Sequence, residues 1–170
     1  MSATGGKRTS AMPGYTMPDA VPPAHELLRQ WWDSDGVGIR TRHVSASEID
    51  ELEARCGVTL PPAFRDYLGN ASPAEDPSWD DAFTNWWPYE SLQTVAVGYE
   101  HPLTGDLEGY RESLLLFADY SIWCSAWAIN CAPGDDYGKV AVIGDPDRFV
   151  ADSFDEFVAR YTQGDFSVYA

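Results

Sequence analysis

The chain is short of positive charge, and the shortage is uneven. Its 170 residues carry 11 Lys and Arg against 27 Asp and Glu, a formal net charge of −16. Residues 1–65 hold seven basic and eight acidic side chains, net −1; residues 66–170 hold four and nineteen, net −15. A protein that grips nucleic acid needs a basic face to displace phosphate counterions, and a field that repels phosphates also repels an anionic bilayer. Nucleic acid and membrane are therefore excluded as expected partners, and a basic protein is favoured. The same balance also suits a plainly solvated acidic surface.

Cysteine is scarce as well. Cys56, Cys124 and Cys131 are odd in number and contain no C-x-x-C pair, which argues against a disulfide framework and a zinc site. Free thiols are expected. His25, His43 and His101 lack the spacing of a ligand cluster. The run Gly134-Asp135-Asp136-Tyr137-Gly138-Lys139 ends in Gly-Lys but lacks the spacing and the following Ser or Thr of a phosphate loop. Asp145-Pro146-Asp147 lacks the oxygen ligands of a calcium loop. There is no G-x-S-x-G. No cofactor, metal or catalytic residue is expected, which leaves the many carboxylates as the sole candidates for an enzyme reading. No run approaches the roughly 18 apolar residues that span a bilayer. Lys7 and Arg8 precede no apolar signal region, so a cytoplasmic location is expected.

Aromatic side chains are what the chain has in plenty. Seven Trp, nine Tyr and seven Phe make 14% of it. Residues 71–90, ASPAEDPSWDDAFTNWWPYE, set Trp79, Trp86 and Trp87 among Glu75, Asp76, Asp80 and Asp81 in a segment read as a loop with a helical turn near Trp86. Large rings with few rotors make good interface anchors. These seven residues, with Asp135 and Asp136 of a later turn, are the candidate partner-binding surface; the alternative is that the rings cover an edge of the core. Trp123 and Trp127 share a face in either a helix or a strand. Read as a strand, 121–131 carries no charge on either face, so both faces are expected to be covered. Its Cys124-Ala126-Ala128 side leaves room for closely packed helices, and its tryptophan side is core or partner surface.

The remaining elements follow from periodicity. Residues 1–23 are rich in Gly, Ser, Thr and Pro and read as a flexible lead-in to a single domain over 24–170. Leu27, Leu28, Trp31 and Trp32 mark a helix over 24–33. Ser45 and Glu48 form a capping box for a helix that Gly57 ends. Pro61-Pro62 opens a third helix that stops at Gly69-Asn70. SLQTVAVGY, ESLLLFAD, SIWCSAWAINC and KVAVIG read as strands. Ser153 and Glu156 box a last helix, with Phe154, Phe157, Val158 and Tyr161 on its buried face. The order predicts an α+β fold: a mostly antiparallel mixed sheet with N-terminal helices and a C-terminal helix packed against it.

Four stretches resemble the SUKH superfamily, which includes Smi/Knr-type fungal cell-wall regulators and many bacterial immunity proteins. They are SASEIDELEARCGVTLPPAFRDYLGNAS, WWPYESL, LLLFADYSIWCSAWAIN and YGKVAVIGDPDRFVADSFDEFVARYTQGD, together covering residues 44–165 in order. One departure stands out: many members carry a Gly/Asp-rich turn after the first central strand, where this chain has Asp119-Tyr120-Ser121-Ile122-Trp123. The resemblance implies a domain that acts by binding, as a cytoplasmic antidote to a cognate protein toxin, often a nucleic-acid-directed enzyme with a basic cleft. It also leaves open an interaction scaffold in signalling or cell-wall regulation. A monomer is the favoured state.

Overall fold

The computed structural model describes residues 20–34, 36 and 38–170; residues 1–19 of the expected lead-in lie outside the described residues. Helix α1 (Ala24–Ser34) buries Ala24, Leu28 and Trp32, spaced four residues apart along one stripe. Strands β1 (Thr41–Arg42) and β2 (Ser72–Pro73) form a small antiparallel pair. Between them lie α2 (Ala46–Cys56) and α3 (Pro62–Ala71). The capping box of α2 is closed. Ser45 Oγ accepts from the Glu48 amide at 3.2 Å, and the Glu48 carboxylate accepts from the Ser45 amide at 2.8 Å. The Ser45 amide is the main reason the Glu48 carboxyl titrates below its ordinary range. Gly57 ends the helix at φ 67°, a left-handed conformation that favours glycine. Helix α3 runs past the expected Gly69-Asn70 stop to Ala71.

The main sheet has six strands: β3 (Thr84–Trp86), β4 (Gln93–Thr94), β5 (Leu114–Tyr120), β6 (Ser125–Asn130), β7 (Val140–Ile143) and β8 (Arg148–Ala151). Their order is β3-β5-β6-β7-β8, with β4 also paired to β5, and every described pairing is antiparallel. The chain is α+β, with helices packed on this sheet. Helix α5 (Phe154–Thr162) buries the four predicted side chains. Its cap is half of the expected box: Ser153 Oγ accepts from the Glu156 amide, but the Glu156 carboxylate takes its bond from Asp152.

The two faces of the sheet are covered differently. On one, Trp127 meets Phe157 at 5.7 Å and Tyr161 at 5.9 Å, and Phe117 meets Phe154 at 5.4 Å. Edge-on and tilted contacts of this kind add to the burial of large rings. On the other, register places Ala128 beside Leu116 and Ala141. The expectation that helices pack closely on the alanine side is therefore corrected: the long helices α3 and α5 lie over the tryptophan side. Residues 95–113 cover the alanine side, with Leu103 and Leu107 buried and Tyr110 against Phe149 at 5.6 Å. The start of this cover explains why 91–99 is not the predicted strand. After two ladder residues the chain turns into α4 (Val95–Gly98). A Cβ on Gly98 would lie 2.6 Å from Gln93 Nε2 and 2.9 Å from Leu116 Cδ1, so a larger residue there would have to push these side chains aside.

Two further expectations are corrected. Trp86 lies on β3 rather than in a helical turn, and the turn comes later, as a 3-10 turn at Tyr89–Ser91 behind Pro88. The predicted strand 121–131 begins only at Ser125; residues 121–123 form a left-handed turn. Trp127 is consequently fully buried while Trp123 is 42% exposed.

Candidate functional site

The acidic, aromatic segment 71–90 divides between core and surface. Trp86 is fully buried and Asp80 is 5% exposed. Asp80 Oδ1 accepts from the amides of Ala82 and Thr84, each at 3.0 Å. Its Oδ2 accepts from Trp31 Nε1 at 3.2 Å, Trp86 Nε1 at 2.9 Å and the Tyr161 hydroxyl at 2.6 Å. One carboxylate thus ties α1, β3 and α5 together. Such a buried charge persists because every lone pair is engaged. The reading of Asp80 and Trp86 as surface contacts is corrected on this ground: both are inside.

The other candidates lie outward or at a cleft. Asp81 is exposed. Glu75 is exposed and pairs with Arg40 at 2.5 Å. Trp79 is half-buried and bridges to Asn85. Asp135 is exposed on the β6–β7 turn. Its neighbour Asp136 accepts from Lys139 at 2.8 Å and from the Tyr110 hydroxyl at 2.6 Å. The Lys139 and Tyr110 bonds hold the Asp136 carboxyl below its usual value. Asp135 and Asp136 do not line the cleft described next.

The cleft has a volume of about 700 Å³ and opens between the end of α2, β3, β4 and the turn after β5. Asp76 and Trp87, two of the sequence candidates, line it. Trp123, which the sequence left between core and partner surface, lines it too, and sequence reasoning missed Glu90, Glu112, Asp119 and Val97, the last 76% exposed. Four carboxylates and one cation, Arg55, line this space, and one of the four, Glu90, pairs with Arg42 at 2.6 Å. Trp87 and Trp123 stand with ring centroids 5.3 Å apart. Asp119 holds them there. Its Oδ2 accepts from Trp87 Nε1 at 2.7 Å and Asn85 Nδ2 at 3.1 Å, and its Oδ1 accepts from the Trp123 amide at 3.2 Å. No local sequence signal assembles this group, because its members come from five separate segments.

Chemically, the cleft offers negative charge and flat apolar surface. Cys56 lines it, with a thiol that burial pushes up in pKa and so keeps protonated. The histidines lie elsewhere: His25 contacts Asp66 at 3.0 Å, and His43 contacts the Gly69 carbonyl at 2.8 Å. Among the described residues, no group of three His, Cys, Asp or Glu side chains is placed to hold a metal ion. No described helix is long and apolar enough to cross a membrane.

The scarce cations of residues 66–170 are engaged within the chain. Arg111 donates to the Tyr99 carbonyl, Arg148 to the Ser167 and Tyr169 carbonyls, and Arg160 and Lys139 pair with Asp165 and Asp136. Among the described residues, Asp81, Glu100, Asp106, Glu108, Glu112 and Asp135 are exposed and make no ion pair.

A family model described as SMI1 / KNR4 family (SUKH-1) matches residues 43–160, more than half of the chain and the whole lining of the cleft. Among curated proteins, none matches.

Proposed function

The chain belongs to the SMI1 / KNR4 family (SUKH-1), and from that premise we propose that it works by docking, as an immunity protein that binds and neutralises a cognate protein toxin. The observation that carries this reading is the cleft, whose lining sets Asp76, Glu112, Asp119 and the Arg42-paired Glu90 beside two tryptophans and Arg55. A nucleic-acid-directed enzyme presents a basic cleft to its substrate. A surface with unpaired carboxylates is drawn to such a cleft from a distance, which raises the association rate. Trp87 is already only 6% exposed, so Trp123, at 42%, is the cleft ring that docking would remove from water. No step in this activity requires a bond to be made or broken.

The test uses the C-terminal domain of the secreted protein encoded next to this gene, purified with its catalytic residue replaced. Stopped-flow association should slow at least tenfold between low and high salt, because screening shortens the reach of the field. Tight binding with no salt dependence would remove the electrostatic part of the reading. If no such neighbour is encoded, or none binds, neutralisation itself is wrong and a scaffold with other partners takes its place.

A further inference from the structure

Among the described residues, four non-glycine residues have left-handed backbones: Phe83 at φ 59°, Ser121 at 48°, Ile122 at 55° and Trp123 at 65°. Single Asn or Asp residues visit this region readily, but a β-branched or bulky side chain there is an outlier. Three in a row, including an isoleucine and a tryptophan, store strain in one turn. The side chains this backbone displays are also unusual. Ile122 is 82% exposed, Phe83 is 68% exposed and Trp123 is 42% exposed.

The turn is nonetheless tied down. The Ser121 amide donates to the Phe83 carbonyl at 2.9 Å, clipping the two left-handed segments together. The Cys124 amide donates to the Tyr120 carbonyl at 3.0 Å, and the Trp123 amide to Asp119 at 3.2 Å. Trp123 also leans on Trp87. Strain that is held in place by its surroundings, and that exposes apolar rings rather than burying them, gives the fold nothing in return. Such strain belongs where a preset shape is used for recognition.

We infer that Phe83, Ile122 and Trp123 form a preset apolar anchor that seats in a hollow ringed by basic residues on the toxin. This rests on the neutralisation reading above and adds where contact is made. Charge complementarity identifies the occupant. Exposed Asp81 lies two residues before Phe83 in the chain, and Trp123 shares the cleft with Asp76, Glu90 and Glu112. An apolar tip set among carboxylates matches an apolar hollow set among Lys and Arg. Because the turn is already in shape, docking does not have to order it.

The experiment is Ile122→Gly and Ile122→Asn in the full chain, with two readouts. Both residues accept the left-handed backbone, and Asn keeps a side chain. Relief of strain should raise Tm by about 2–4 °C, a measurement that needs no partner. Affinity for the inactive toxin domain should fall at least tenfold. A lower Tm in both variants would make Ile122 a structural residue and overturn the inference. Wild-type binding that survives both substitutions unchanged would place the contact elsewhere while leaving neutralisation standing. If the wild-type chain itself fails to bind, neutralisation falls and the anchor with it. Co-sedimentation of wild type, but not Ile122→Asn, with phosphatidylcholine–phosphatidylserine vesicles would assign the patch to lipid and overturn the protein partner.

Discussion

Two carboxylates, Asp80 and Asp119, are almost equally buried, at 5% and 3% exposed, and each holds a tryptophan indole. Their surroundings differ. Asp80 accepts five hydrogen bonds, from three elements and its own loop, and is closed in by α1, β3 and α5. Asp119 accepts three, only one of them on Oδ1, and lies on the wall of an open cleft. A carboxylate has about four lone-pair sites. The first is therefore saturated by the fold, and the second keeps room for a donor from outside. Burial alone does not separate a structural charge from an available one; unused acceptor capacity does.

The largest effect that would test this contrast is Asp80→Ala. It would leave the buried Trp86 indole and Thr84 amide, and the part-buried Trp31 indole and Ala82 amide, without their acceptor, while the Tyr161 hydroxyl keeps Thr84 Oγ1 at 2.7 Å. Each buried donor left without an acceptor costs about 1–3 kcal/mol, so urea unfolding should show a loss of about 3 kcal/mol or more. A loss under about 1 kcal/mol would mean that the network is decoration and the contrast false. Replacing buried Asp80 together with exposed Asp81 by Lys would thus report on folding rather than on binding.

Asp119→Asn comes next. The substitution keeps shape but removes the charge and one acceptor, and only three donors depend on it. A loss of about 1–2 kcal/mol is expected, the range for perturbing a few hydrogen bonds. Toxin affinity should fall about tenfold, since the cleft loses its innermost charge and the grip on both tryptophans. Equal stability losses at Asp80 and Asp119 would erase the distinction drawn between them. An unchanged affinity would place Asp119 with the structural group.

Much of the architecture was legible because it is local. The Ser45–Glu48 box, the Gly57 stop and the i, i+3, i+4, i+7 stripe of α5 each depend on neighbours a few residues away. The candidate site was only partly legible. Asp76 and Trp87 were singled out, but Asp80 and Trp86, from the same run, point inward. Composition cannot tell a carboxylate beside tryptophans in solvent from one that binds their indoles in the core. The turn after β5 was missed for a related reason. Ser121-Ile122-Trp123 has strand propensity, and the tertiary clip to Phe83, with the bond from the Trp123 amide to Asp119, holds it left-handed against that preference. That clip is also why Trp123 and Trp127, four residues apart, end on opposite sides of the surface.

Asp165 supplies the smallest effect and the control for the comparison. Like Asp119 it accepts three bonds, here from the Ser167 hydroxyl, the Ser167 amide and Arg160 Nε. Unlike Asp119 it faces solvent, with its side chain 39% exposed. The Ser167 hydroxyl and amide, with Arg160, lower its pKa from an ordinary 3.8 to about 2. A carboxyl whose pKa is depressed by folding stabilises the folded state above its unfolded pKa. That contribution is lost as pH falls through the folded pKa. The stability difference between wild type and Asp165→Asn should therefore be flat above about pH 5, shrink below about pH 4 and vanish near pH 2. NMR titration of the Asp165 carboxyl, with chemical denaturation of both proteins across that window, checks the midpoint and the sign. Because water can replace each of these bonds, the difference at neutral pH should be smaller than for Asp119→Asn. A loss as large as that of Asp119→Asn would show that the number of donors, rather than their removal from solvent, sets what a carboxylate contributes to this fold.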